Sequence, residues 1–285
     1  MPRGRAHKVL THHYDGARLA RRPDQVVVEE PLEIHLDGVL VATTMRTPGH
    51  DFELATGFCH SEGLLGGAPV RQCKYCGAGS ALESEFNVVT VDTGGAAPPP
   101  VPRLTPTTSA CGMCGTTALD ELRERLHPLA PSPPIPLDVL AAVPDRVAGE
   151  QELFAATGAA HAAVAFDGDG TPQLAREDIG RHNAVDKVVG RLLLDDRLPA
   201  HGLGLFVSGR ASFEMVQKAW AAGFGTVVAV SAPSSLAVSA ARLAGLTLCG
   251  FARSGELNVY APEIPGPSRR HPAEVAVAGT EDRRR

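Results

Sequence analysis

GLGLFVSGRASFEMVQKAWAAGFGTVVAVSAPSSLAVSAARLAGLTLCGF, residues 202–251, is the stretch that decides the fold. It divides into a strand (GLGLFVS), a helix (ASFEMVQKAWAAG), a strand (TVVAVSA), a helix (SSLAVSAARLAG) and a strand (LTLCGF). Short apolar runs alternating with helices of about 10–15 residues predict an α/β core with a mainly parallel sheet and right-handed crossovers. Just upstream, AHAAVAF reads as a strand, Asp167–Gly170 as a turn and QLAREDI as the returning partner. GRHNAVDKVVGRLLL follows with Ala184, Val185, Val188, Val189, Leu192 and Leu193 on one face, the stripe of an amphipathic helix.

Towards the N-terminus the texture changes. PLEIHLDGVLVATTMRT alternates apolar and polar residues around Asp37-Gly38, a hairpin signal. Phe52, Leu54, Ala55, Phe58 and Cys59 recur at helical spacing, and EFNVVTVD reads as a further strand. The proline-rich AAPPPVPRLTP is an extended connector, and a second proline cluster, HPLAPSPPIP, separates the helical ALDELRERL from the helical LDVLAAV. Four parts follow: a mobile arm at 1–25, a smaller β-rich part at 26–108, an α/β core at 109–262 and a disordered tail at 263–285.

The 285 residues are 44% hydrophobic and 21% charged, with a formal net charge of −5. That composition suits a protein with a buried core and argues against a general nucleic-acid binder, which is usually basic. The basic patch of Arg3, Arg5, Lys8, Arg18, Arg21 and Arg22 has no apolar run beside it, and no stretch of about 18 apolar residues occurs. The expectation is a cytoplasmic protein with no membrane partner. Six cysteines are too few for a disulfide scaffold, and four form two C-x-x-C pairs, a spacing that points to metal or sulfur chemistry.

In TTSACGMCGTT, Cys111 and Cys114 are flanked by small residues, and Gly112 and Gly115 let the backbone bend. A predicted helix begins just beyond, and its unpaired amides and dipole favour thiolate over thiol. Such cysteines suit sulfur transfer, where a thiolate attacks a donor persulfide and an exposed acceptor takes the outer sulfur. The competing reading is zinc: Cys73 and Cys76 supply a second pair, and four sulfurs would close a site in a binding module without turnover. Thirty-four residues separate Cys76 from Cys111, against about 15–20 in a zinc ribbon. A zinc deaminase needs H-x-E and P-C-x-x-C; here His161 is followed by Ala162 and Ala163, and Ala110 precedes Cys111, so no proton shuttle is present. No resident metal site is expected. Cys59 and Cys249 fall in apolar surroundings and read as core residues.

Anion-binding candidates lie where strands end. Ser208, Gly209 and Arg210 stand between a strand and a helix, the usual place for a phosphate. Arg253 follows the last strand of the series. Arg176, Asp178, Arg181, His182, Asn183 and Asp186 crowd one helix start and read as the wall of a site.

Several long strings together resemble the FdhD family of formate dehydrogenase accessory sulfurtransferases: RTPGHDFELATGFCHSEGLL, SACGMCG, TGAAHAAVAF, REDIGRHNAVDKVVG, VSGRASFEMVQKAWAAG and APSSLAVSAARLAGLTLCGFARSGELNVY. The likeness runs from about residue 26 to 262. It implies a deaminase-like three-layer core, usually dimeric. It also implies a carrier that accepts sulfur from a cysteine desulfurase as a persulfide and passes it to the bis-guanine-dinucleotide molybdenum cofactor before that cofactor enters formate dehydrogenase. By position the persulfide carrier falls on Cys111, with Cys114 as second cysteine. The segment contacting the cofactor's guanine nucleotide part falls on Phe251, Ala252, Arg253, Ser254, Gly255 and Glu256. Cys73 lies outside the family pattern.

Overall fold

A computed structural model of the chain describes residues 4–75, 81–82, 85–100 and 115–262. The chain opens with two antiparallel strands, β1 (Ala6–Tyr14) and β2 (Leu19–Val27), paired to each other alone. Both strands are largely exposed, so they carry no apolar alternation. Their backbone pairing makes a hairpin where weak periodicity predicts only an arm.

β3 (Glu30–Leu36) and β4 (Val39–Arg46) form the expected hairpin across Asp37 (φ 48°) and Gly38 (φ 87°). Positive φ at both turn residues matches the right-handed twist of the strands. Leu32, Ile34 and Leu36 alternate inward and are at most 1% exposed. Helix α1 (Asp51–Ser61) covers this face with Leu54, Ala55 and Cys59. Strands β5 (Gln72–Lys74) and β6 (Val88–Asp92) complete a sheet of order β4-β3-β6-β5.

Helices α2 (Gly115–Arg125), α3 (Leu137–Arg146) and α4 (Glu152–Thr157) lead to the larger unit. There β7 (His161–Phe166) and β8 (Pro172–Asp178) precede α5 (Arg181–Leu194). The alternating series follows as β9 (Gly204–Val207), α6 (Phe213–Ala222), β10 (Thr226–Ala229), α7 (Ser235–Ala244), β11 (Thr247–Arg253) and β12 (Glu256–Ala261). The strand order is β12-β11-β10-β9-β7-β8.

Only the β9-β10 and β10-β11 junctions are parallel; β7-β9, β7-β8 and β11-β12 are antiparallel. The sheet is therefore mixed, and the expectation of a mainly parallel sheet is corrected. The turns at 167–171 and Ser254-Gly255 are too short for a crossover helix, so each returns its strand antiparallel. Alternate residues face opposite layers. Ala163, Leu205, Val207, Val227 and Ala229 pack with α5, α6 and α7, whereas Val164, Phe206, Val228 and Cys249 pack with α3. Cys59 and Cys249 are both fully buried, as read. Among the described residues no helix is long and apolar enough to cross a membrane.

Candidate functional site

The carboxyl ends of β9, β10 and β11 share one edge of the sheet, and backbone hydrogen bonds link them. Ser231 donates its N–H to the Gly209 carbonyl and Phe251 donates to the Ser231 carbonyl, each at 3.3 Å. The two candidate segments, Ser208–Arg210 and Phe251–Glu256, are thus brought to one edge with Ser231 between them. At Ser208 the hydroxyl accepts the Ala162 N–H at 2.9 Å and lies 3.3 Å from His161 Nδ1, which ties β9 to β7. Arg210 is exposed. Arg181 and His161 close over Gly209: a Cβ there would lie 3.5 Å from Arg181 Cδ and His161 Nδ1.

Phe251–Glu256 forms the turn of the β11-β12 hairpin. The register slips between Gly250 and Arg253, and Phe251 takes φ 53°. A bulky residue in that region is uncommon and is held by its surroundings. The slip leaves the Phe251 ring 40% exposed while Ala252 is fully buried in the α3 layer. Phe251, Arg253, Gly255 and Glu256 line a groove of about 720 Å³ whose opposite wall is α3, through Leu137 and Asp138. Ser208–Arg210 does not line it. A volume of that size is typical of small-molecule sites.

The crowded helix start resolves into two roles. Asp178 pairs with Lys187 at 2.7 Å and accepts the Thr47 N–H at 3.1 Å. Asn183 donates to the Met45 carbonyl, Arg176 clamps Glu53 at 2.5 and 2.9 Å, and Asp186 pairs with Lys218 at 2.9 Å. These four side chains hold helices and strands together. Arg181 and His182 differ: Arg181 Nε and His182 Nε2 are buried with no hydrogen-bond partner. Burial, then the Arg181 and Lys218 charges, push His182 down to about 4, so its imidazole is neutral at pH 7. Sequence reasoning overlooked Lys187 and Lys218 as buried charges. The available signal was a lysine on each apolar helix stripe.

Cys76, Cys111 and Cys114 lie outside the described residues; Gly115, the residue after Cys114, is the first of α2. Cys73 lies on β5 with its sulfur 3.2 Å from the Thr56 hydroxyl, packed against the β3-α1 core, and burial pushes its thiol up. Among the described residues no cluster of three or more His, Cys, Asp or Glu side chains is arranged for a metal ion.

The profile of the FdhD/NarQ family matches residues 27–264, which span both edge segments and both C-x-x-C pairs. The chain belongs to the FdhD/NarQ family. A relative from Nocardia farcinica, named sulfur carrier protein FdhD, is 51% identical over 84% of this chain and 87% of its own length. A second of the same name, from Streptomyces avermitilis, is 49% identical over 87% and 91%. A crystal structure described as a formate dehydrogenase accessory protein from Desulfotalea psychrophila superposes with a TM-score of 0.73 at 23% identity, covering 91% of this chain and 98% of that one. That likeness gives the FdhD/NarQ fold an experimental counterpart. The family match begins at the end of β2, so most of the β1-β2 hairpin lies ahead of it.

Proposed function

We propose that the chain is a sulfur carrier that takes sulfur from a cysteine desulfurase on Cys111 and passes it to the bis-guanine-dinucleotide molybdenum cofactor destined for a formate dehydrogenase. The observation that carries this reading is about half identity, over most of the chain, to relatives named sulfur carrier protein FdhD. Its setting is the cytoplasm, and its partners are the desulfurase, the dehydrogenase and a second copy of the chain.

Loading needs no redox cofactor. The Cys111 thiolate attacks the outer sulfur of the donor persulfide, the donor S–S bond breaks, and the donor cysteine leaves as thiolate. Delivery has two balanced courses. A reduced acceptor takes the outer sulfur directly, its two electrons forming sulfide as Cys111 leaves as thiolate. Alternatively the Cys114 thiolate attacks Cys111 Sγ, hydrosulfide leaves, and the resulting disulfide is later reduced by an external dithiol. The cofactor is substrate here, and the groove beside Phe251–Glu256 supports the binding half of the reading.

Intact mass after incubation with a cysteine desulfurase and cysteine tests the proposal. The chain should gain one sulfur atom, mapping to Cys111, and Cys111→Ala should abolish the gain. Normal loading of that variant would overturn the assignment. Cys114→Ala should still load, since Cys114 enters only at release.

A further inference from the structure

The groove at the β11-β12 hairpin has one wall that the sulfur-carrier reading leaves unused. Asp138 stands in the first turn of α3, exposed, and makes no hydrogen bond or ion pair with any described residue. Across from it, Phe251 presents a large apolar ring in a backbone conformation that a phenylalanine rarely adopts, fixed by the hydrogen bond that its N–H donates to the Ser231 carbonyl and by the register slip. An exposed aromatic face and an uncommitted carboxylate, in one cavity with Arg253, form a set that suits a purine nucleotide.

We propose that Asp138 reads guanine in this groove while Phe251 stacks on the base, an inference that rests on the guanine-dinucleotide cargo proposed above. Guanine offers two adjacent donors, N1–H and N2–H, on the edge that a carboxylate's two oxygens meet in parallel. Adenine places an acceptor at N1, so the same carboxylate repels it. Stacking is indifferent to base identity, because every base has a π-face. Discrimination therefore falls to the carboxylate, through charge-assisted hydrogen bonds that only guanine completes. Glu256 is the weaker reader, since it stands opposite Arg253 in the hairpin register and has an opposite charge as its cross-strand neighbour. Asp138 is mounted on a helix, which positions a side chain better than a turn does.

Calorimetry on the full chain with GDP, IDP and ADP tests this. Wild type should prefer GDP to ADP, with IDP, which lacks the N2 amine, between them. Asp138→Asn should weaken GDP about tenfold or more without weakening ADP, which loses only a repulsion, so that the preference collapses. Phe251→Ala and Glu256→Gln should each shift GDP and ADP alike. An Asp138→Asn protein that keeps the GDP preference would overturn the inference, as would equal weakening of both nucleotides. Wild type that loads sulfur on Cys111 yet binds no GDP would overturn it while leaving the carrier role standing. Absence of both loading and binding would remove the underlying reading as well.

Discussion

Glu53 lies in α1 at 7% exposure, and its carboxylate faces Arg176 on β8 at 2.5 and 2.9 Å, with His50 at 3.4 Å. Burial alone would raise its pKa; the hydrogen bonds from Arg176 and then His50 outweigh burial and hold it at about 2. Its unfolded value is the ordinary 4.5. The folded state therefore binds this proton less readily than the unfolded chain does. The stabilisation is fully present above pH 4.5, declines below it, and is gone once pH falls through about 2. Glu53→Gln should cost about 2 kcal/mol at pH 7, and urea titrations should show that gap closing as the pH drops. A gap of constant size down to pH 2 would refute the electrostatic account. At this scale the sequence was a partial guide. Arg176, Asp178 and Asn183 were legible as polar and crowded, but Glu53 and Met45, the partners of Arg176 and Asn183, are distant in the chain.

Helices α1 and α5 meet backbone to backbone at Gly57 and Gly190. A Cβ on Gly57 would lie 1.8 Å from the Asp186 carbonyl oxygen, and one on Gly190 would lie 1.8 Å from that of Glu53. Two effects oppose each other when either glycine becomes alanine. Helix propensity favours alanine by about 0.8–1.0 kcal/mol. The clash is with main chain on both sides, which cannot swing away, and forced overpacking typically costs about 1–3 kcal/mol. Gly57→Ala and Gly190→Ala should therefore be net destabilising in chemical denaturation. Gly149→Ala, with open space at its Cβ, should change little. Stabilisation by either helix variant would mean that the close approach is wrong. The sequence marked both segments as helices with apolar faces, yet nothing local distinguishes an interhelical glycine from a tolerated one.

Across the whole molecule, Lys187 joins the two units. Its ammonium is fully buried and reaches Asp178 at the end of β8, the Thr47 carbonyl at 3.0 Å beyond β4, and the Glu177 carbonyl at 3.4 Å. Thr47 answers with its amide to Asp178 and its hydroxyl to the Ile179 N–H. Breaking a buried pair by removing one partner leaves an uncompensated charge and costs about 3–5 kcal/mol. Lys187→Met should lose about that much, and wild type should unfold in a single transition. The one tryptophan, Trp220, lies in the α6 layer and reports the larger unit. Its fluorescence midpoint should coincide with that of far-UV circular dichroism. Separate midpoints in the wild-type protein would show that this junction does not couple the units.

The alternation across 202–251, the hairpin at Asp37-Gly38 and the stripe of α5 were all legible in the chain, because backbone preference and apolar period are set by neighbours a few residues apart. The strand order, the antiparallel flanks and the division of polar residues between ties and groove were not. Each depends on which distant segments meet, and on how much water is removed where they do. A buried lysine and an exposed aspartate are both simply charged residues in a sequence. Packing left Lys187 enclosed with Asp178, and it left Asp138 open to the groove across from Phe251. Burial energies and long-range pairing decided that difference, and neither is a local property of the chain.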